Sequence, residues 1–482
     1  MSSQNHLRHG TAEVATASQG SVPATAAQAP AVVATGPEPA LPDRGRDVQP
    51  RLHSPDRQQV ISPKTIDELL EVDHPARAVW SYVEGLDLSP LYDRIRARGV
   101  VAGRPATDPR LLVALWLYAT LSGFSSAREL ADLCVRHDAF RWLAGGVFVN
   151  YHTLSDFRTN ASESLGQLLE QSVERLRQQG LVDLDRIAQD GVRVRAGASA
   201  GAASFRRRET LERLLEESQA EVERLRRKLT ETSTNPASPQ PVAVGEESAA
   251  QPPSPQQEAV AMRHAEERVE RIEQALERMP EMEAKIEPGD RKEARVSTTD
   301  PQATVMKMGD GGFRPAYNIE YATTCHGQAI VGVDVVTAGS DQGQLPPLLD
   351  QIEDRFGRRP KEALVDGGFA NLKDIERVQG GQKKCRVYAP VSKPRKEGVD
   401  RHESKATDGK GVAEWRRRMG TAKAKDIYKE RAATAECVNA QARNRGLQQL
   451  AVRGIEKVKA IATWFAITHN MARSFALQPR PG

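Results

Sequence analysis

Apolar residues recur at helical spacing in Thr65-Ile-Asp-Glu-Leu-Leu70 and Ala78-Val-Trp-Ser-Tyr-Val83, and they become almost continuous over Leu111–Ala119. The last run predicts a buried helix over 105–121, with its start marked by Thr107-Asp108-Pro109, since proline suits a first helical turn. A turn at Gly123 and an N-capped helix after Ser125-Ser126 follow, and another helix opens at His152-Thr153. Residues 59–180 therefore read as a helical N-terminal domain. Its short helices, tight turns and residues Arg128, Arg136, Arg141 and Arg158 are compatible with helix-turn-helix DNA binding. A helical dimerisation or scaffold domain fits the same pattern.

The period changes over 205–293. Leu211, Leu215, Val222, Leu225 and Leu229 are spaced like a heptad seam, and Val269, Ile272, Leu276 and Met279 repeat it after a Pro/Ser/Gln-rich interruption at 232–257. The expectation is a coiled-coil-like helical hairpin with a flexible tip, either an arm for partners or DNA or a decoration without catalytic duty. Residues 1–58, rich in Ala, Ser, Pro, Gln and Thr, are expected to form a disordered low-complexity tail.

Alternating and short apolar runs predict strands at Leu184–Val194, Ala316–Thr324, Gln328–Thr337, Ala363–Asp366 and Cys385–Pro390, with a hairpin around His326-Gly327. Helices are expected at Gly343–Phe356, Leu372–Val378 and Tyr428–Arg443. Three strands, helix, strand, helix, strand, helix is a mixed α/β order. It spans 181–204 plus 294–477 and is interrupted by the hairpin, which gives a multidomain α plus α/β chain.

Charge alters this picture by its distribution. The total is only +4, from 68 Lys+Arg against 64 Asp+Glu. Yet Lys383, Lys384, Arg386, Lys393, Arg395, Lys396, Arg401, Lys405, Lys410 and Arg416 to Arg418 crowd one segment, as a phosphate-neutralising surface or a solvated basic loop. Cys134, Cys325, Cys385 and Cys437 have no CxxC spacing, so neither a zinc site nor a disulfide framework is signalled. No apolar run is long enough for a bilayer and no secretory hydrophobic core is present, so a reducing, cytoplasmic setting is expected.

The candidate chemistry is carboxylate chemistry. Asp190 lies late in the first predicted strand, Asp366 ends the fourth, and Glu436 lies on the last helix. On a straight helix at about 100° per residue, Tyr428, Glu436, Asn439 and Arg443 share an arc of about 80°, and Arg431 lies about 60° to the other side of Tyr428. Three hard carboxylates beyond strand ends suit Mg²⁺ or Mn²⁺ and in-line phosphoryl displacement. Gly367 and Gly368 leave room for substrate. Asp185, Asp334, Asp350, Asp354 and Glu430 are competing acids, each less well placed.

These residues resemble those of DDE-type transposases of bacterial insertion sequences, with an InsH-like N-terminal domain and a ribonuclease-H-like catalytic domain. Tyr428, Arg431, Glu436 and Arg443 resemble the motif around the family's third acid, with Arg443 where Lys is expected and Cys437-Val-Asn439 replacing Pro-x-Phe. Gln189-Asp190-Gly191 and Val365-Asp366-Gly-Gly-Phe369 resemble the motifs of the first two acids. Thr299-Asp300-Pro301, Gly312–Asn318, Gly103–Pro109 and Asn150–Arg158 add to the likeness, which runs over roughly 60–477 outside the insertion.

The resemblance implies that Asp190, Asp366 and Glu436 are catalytic and bind Mg²⁺, with Mn²⁺ as substitute, and that Tyr428, Arg431 and Arg443 contact DNA. Asn439, on the same stripe, is a further candidate DNA contact. It implies hydrolysis at element ends, joining of 3′-hydroxyls to target DNA, and a homodimer in a synaptic complex near the bacterial nucleoid. A metal-dependent nuclease that only cuts and a DNA-binding regulator without catalysis are the alternatives.

Overall fold

The computed structural model describes residues 65–95, 105–160, 162–197, 205–234, 254–381, 384–394 and 398–478. The tail expected over 1–58 and most of the expected hairpin tip lie outside them. Residues 64–482 make one compact unit.

Among the described residues a short 3-10 turn (Asp67–Leu69) precedes seven α-helices: α1 (Pro75–Glu84), α2 (Ser89–Asp93), α3 (Pro109–Leu121), α4 (Ala127–Arg136), α5 (Asp138–Ala144), α6 (Tyr151–Thr159) and α7 (Ser162–Gln178). Helix α3 begins at Pro109 rather than near 105, because the Asp108 side chain accepts from the Arg110 amide and proline fills the first turn. Every residue from Leu111 to Ala119 is buried, as a helix apolar on all sides requires. Ser126 caps α4 as expected.

The sheet strands are β1 (Arg186–Arg195), β2 (Phe205–Arg206), β3 (Val296–Ser297), β4 (Thr304–Lys307), β5 (Phe313–Thr324), β6 (Ile330–Val336), β7 (Glu362–Leu364) and β8 (Arg386–Tyr388). The large sheet runs β4-β5-β1-β7-β8, with β6 also on β5. Strands β4, β5 and β6 pair antiparallel around β5 and β5 pairs antiparallel with β1, whereas β7 is parallel to β1 and to β8. Strand β4 has no counterpart among the expected strands; it returns on β5 through a turn at Asp310-Gly311-Gly312. The expected hairpin joins β5 to β6, where Gly327 has φ 77° and a Cβ would lie 2.2 Å from the Leu181 carbonyl oxygen.

Between β2 and β3 stand α8 (Arg208–Thr234) and α9 (Pro255–Ala284). Ion pairs Arg208–Glu283, Arg226–Glu266 and Lys228–Glu258 run in opposite senses along the two helices, so the hairpin is antiparallel. Helix α9 starts at Pro255, earlier than the expected end of the interruption at 257, because Ser254 and Gln257 form a capping box. The remaining helices are α10 (Leu345–Phe356), α11 (Leu372–Gly380), α12 (Lys410–Met419), α13 (Ala422–Arg431), α14 (Cys437–Asn444) and α15 (Ile455–Leu477). Helix α15 unites the molecule. Its Trp464 donates to the Arg158 carbonyl, and buried Asn470 bonds both Ser172 of α7 and Ile330 of β6. The N-terminal helices and one face of the sheet consequently share a single apolar core.

Candidate active site

Strand pairing places the first two acids together. Strand β1 is in parallel register with β7 only through Ala188↔Leu364. Asp190 and Asp366 each lie two residues beyond that last pair. Side chains two apart share a face of a sheet, and neighbouring strands are about 4.8 Å apart, so the two carboxylates emerge side by side where the ladder ends. Asp190 is thus in the middle of β1 rather than late in it, and Asp366 follows β7 rather than ending it. Asp366 caps the short turn Gly367–Phe369, accepting from the Gly368 amide at 2.7 Å, while buried Phe369 anchors the turn.

The third element reaches Asp190 through a helix that is not straight. Helix α13 gives way to a π turn over Ala432–Glu436 before α14 begins. An i→i+5 turn absorbs one extra residue, so everything beyond it is set back by about 100°. The stripe expected for a uniform helix is rearranged accordingly: Arg431 and Asn439, about 80° apart on a straight helix, come onto one line. Asn439 donates to Asp190 Oδ2 at 3.0 Å, and Arg431 Nη1 lies 3.5 Å from the same oxygen. The other guanidinium nitrogen lies 3.5 Å from Glu436, whose side chain is 65% exposed. Tyr428 is half-buried in the same neighbourhood; burial pushes its hydroxyl pKa up, Arg431 pulls it down, and Asp366 and Asp190 push it up. Arg443 is exposed, and its carbonyl accepts from Gln448.

Burial pushes the Asp190 carboxyl up to about 6; Arg431 opposes the shift, and Asp366 and Asp341 add to it. Beneath Asp190 lies a polar layer that the sequence reading did not single out. Glu320 is buried on β5, accepts from Gln189 and Asn318, and is pushed up to about 8, chiefly by burial. Asn318 also donates to Asp341, in the segment before α10. Alternation offers one retrospective signal, since Asn318 and Glu320 are polar residues two apart among Tyr317, Ile319, Tyr321 and Ala322. Asp341 carries no such signal.

Among the described residues no three His, Cys, Asp or Glu side chains are grouped so as to hold a metal ion. The donor chemistry nevertheless fits a hard divalent cation. Asp190 and Asp366 are adjacent carboxylates, and the buried Asn439 Oδ1 beside Asp190 has no hydrogen-bond partner. Four of the five competing acids are engaged elsewhere: Asp185 with Arg358 and Lys361, Asp334 with Lys459, Asp350 with Arg359 and Arg377, and Glu430 with Arg186.

Two basic expectations change. Arg158 is no surface contact: it is buried, bonded to the Ser125 carbonyl, with its guanidinium 4.4 Å from the Trp116 ring centre, and burial lowers it to about 10. In the basic segment, Arg386 pairs with Glu362, Arg416 with buried Asp408, and Arg418 with Gln379 and the Val387 carbonyl. Lys384, Lys393, Arg401, Lys405, Lys410 and Arg417 remain exposed, whereas Lys383, Arg395 and Lys396 lie outside the described residues. All four cysteines are free.

An α/β sheet that brings two carboxylates together where its parallel ladder ends, flanked by Arg and Tyr, is an arrangement compatible with phosphodiester chemistry. Two family models place it more closely. Residues 64–160 match a transposase domain of the DUF772 type, and residues 382–475 match a transposase DDE domain. No curated protein and no solved structure matches the chain. The two matches support a DDE-type insertion-sequence transposase, a family of DNA-cleaving and strand-transfer enzymes that depend on divalent metal. The second match covers Glu436 but neither Asp190 nor Asp366. No helix among the described residues is long and apolar enough to cross a membrane.

Proposed function

We propose that Asp190, Asp366 and Glu436 are the three catalytic acids, that they hold Mg²⁺ or in its place Mn²⁺, and that the sheet with its flanking helices is a ribonuclease-H-like domain spanning 181–204 and 294–477. The antiparallel β6-β5-β1 group followed by parallel β7 and β8 supports that fold reading. The hairpin over 205–293 is read as a coiled-coil insertion, and 59–180 as the DNA-binding or dimerisation domain.

The observation that carries the proposal is the adjacency of Asp190 and Asp366 beyond the Ala188↔Leu364 pair, with the α13–α14 helix laid across them. The bound cations would activate a water or 3′-hydroxyl and neutralise the leaving oxygen. Arg431 holds the acids' countercharge and is placed to move to a phosphate. Asn439 orients Asp190 through its amide. Tyr428 offers a ring for stacking on an unpaired base, and exposed Arg443 a guanidinium for the DNA backbone. Cytoplasmic action as a homodimer that synapses two ends completes the reading.

The test is DNA from the flanks of the reading frame, incubated with full-length protein and Mg²⁺ or Mn²⁺. Cleavage exposing 3′-hydroxyls, followed by their joining to a target duplex, is expected. Cleavage without strand transfer from pre-cut ends would favour a nuclease, and binding without cleavage a regulator.

A further inference from the structure

We propose that a small inorganic anion of chloride size binds between Arg158 and Arg445, in the cavity where the N-terminal helices meet the link between α14 and α15. Arg158 lies in the segment that matches the DUF772-type transposase domain and Arg445 in the segment that matches the DDE domain, so one anion joins the two. The site stands apart from the acids and does not depend on their reading.

Two turns packed backbone to backbone frame the cavity. Gly123, after α3, and Gly446, after α14, both have positive φ, and a Cβ on Gly446 would lie 2.9 Å from the Gly123 carbonyl oxygen. Trp116, Phe124, Leu447 and Trp464 supply apolar walls, while the charged lining consists of Arg158 and Arg445 with no acidic side chain. The space open to the centre of a water-sized sphere is about 30 Å³. A single water needs about 10–15 Å³ by that measure, so the cavity admits a chloride ion and is too small for a nucleotide.

The hydrogen bonding of the two arginines points to a ligand. Arg158 is only 5% exposed; it donates through Nη1 to the Ser125 carbonyl and lies over the Trp116 ring, yet its Nε has no hydrogen-bond partner. Arg445 is half-buried, and among the described residues no hydrogen bond or ion pair engages its guanidinium, whose buried Nη1 is left without an acceptor. Burial lowers the pKa of both, Arg158 to about 10, and no carboxylate opposes the shift in either. A buried cation without a counter-ion is costly, and two lining one cavity repel each other. One anion would accept from both guanidiniums and offset their charge. Packing of Arg158 on Trp116 accounts for the first arginine and leaves the second without a counter-charge.

The test is urea denaturation of the full-length protein in increasing NaCl, with ionic strength held constant by sodium gluconate, whose anion is too large for the cavity. The wild-type midpoint should rise with the logarithm of chloride concentration once the site fills, because only the folded state binds the ion. Arg445→Gln should lose most of that rise, yet in gluconate alone it should be at least as stable as wild type, since an unpaired buried cation is gone. A wild-type midpoint indifferent to chloride overturns the proposal, and so does an equal rise in Arg445→Gln. A variant less stable than wild type in gluconate and chloride alike also overturns it, because Arg445 would then be a packing residue. Should Arg445→Gln fail to fold, wild-type crystals soaked in NaBr decide: an anomalous bromide peak between the two guanidiniums is expected, and its absence there overturns the proposal.

Discussion

The candidate site has two halves of different construction. Asp190 and Asp366 are held by a ladder of paired strands, with Asp190 largely shielded and backed by buried Gln189, Asn318 and Glu320. Glu436 stands on a π turn, mostly in solvent, tied to the first half through one guanidinium 3.5 Å away. A strand register fixes position to a fraction of its 4.8 Å spacing, whereas a π turn is a local, adjustable departure from the helix ladder. The contrast teaches where preorganisation is stored: the strand half is fixed by register, and the helix half is joined to it through Arg431.

Removing the acids one at a time should separate the two halves most sharply. Asp190→Asn, Asp366→Asn and Glu436→Gln should each lower cleavage by more than about a hundredfold, since even partners behind metal ligands are worth about 10–100-fold. The halves should differ in binding: Mn²⁺ affinity falls with Asp190 or Asp366 but is largely kept in Glu436→Gln. Equal losses in all three would erase the distinction.

The second effect is on stability without metal. A raised carboxyl pKa means that the folded state favours the proton, so this contribution is fully present below about 3.8 and is lost as pH rises through about 6. At about 1.4 kcal/mol per pKa unit, ionised Asp190 costs up to about 3 kcal/mol. Urea denaturation in EDTA should therefore find Asp190→Asn more stable than wild type at pH 8 and equal to it near pH 4. A gain that persists at pH 4 would locate the effect elsewhere.

Gly191→Ala should follow, because its Cβ would meet Asn318 Oδ1 at 2.7 Å and Asp341 Oδ1 at 2.8 Å. Overpacking of this kind costs about 1–3 kcal/mol, readable as a lowered urea midpoint. Gly367→Ala, with nothing within 4 Å of its Cβ, is the matched control.

The smallest effect is expected for Arg431→Gln. It faces both Glu436 and partly shielded Asp190 at 3.5 Å, two long contacts of which one lies in solvent, so stability should fall by about 1 kcal/mol. Salt-dependent DNA affinity should fall too, because a phosphate-facing cation is gone. A large stability loss would show Arg431 to be a fixed strut of the helix half.

Much of this was legible in particular residues. Asp108-Pro109 and Ser126 announced their helices through capping chemistry, the heptad-spaced leucines announced the helical hairpin, and the apolar strand runs announced the sheet. Asp190, Asp366 and Glu436 are proposed on strand-end and helix contexts, whereas Asp190 lies in the middle of β1 and Asp366 just after β7. The competitors' ion pairs could not be read, because Asp185–Lys361 and Asp334–Lys459 join segments more than a hundred residues apart. The burial of Arg158 was equally hidden, since its cover comes from Trp116 on α3 and its carbonyl is met by Trp464 on α15.

By itself the sequence determined most of the helices and strands, though not β4 or α12, and which acids are candidates, because periodicity, caps and turn residues act within a few positions. Only the tertiary structure decided that Asp190 and Asp366 leave the sheet side by side and that a π turn swings Asn439 onto Asp190. Those arrangements depend on strand register and on helix phase across a local irregularity. Both are set by packing between distant segments, and an alanine-rich turn such as Ala432–Glu436 carries no local sign of the phase it will adopt.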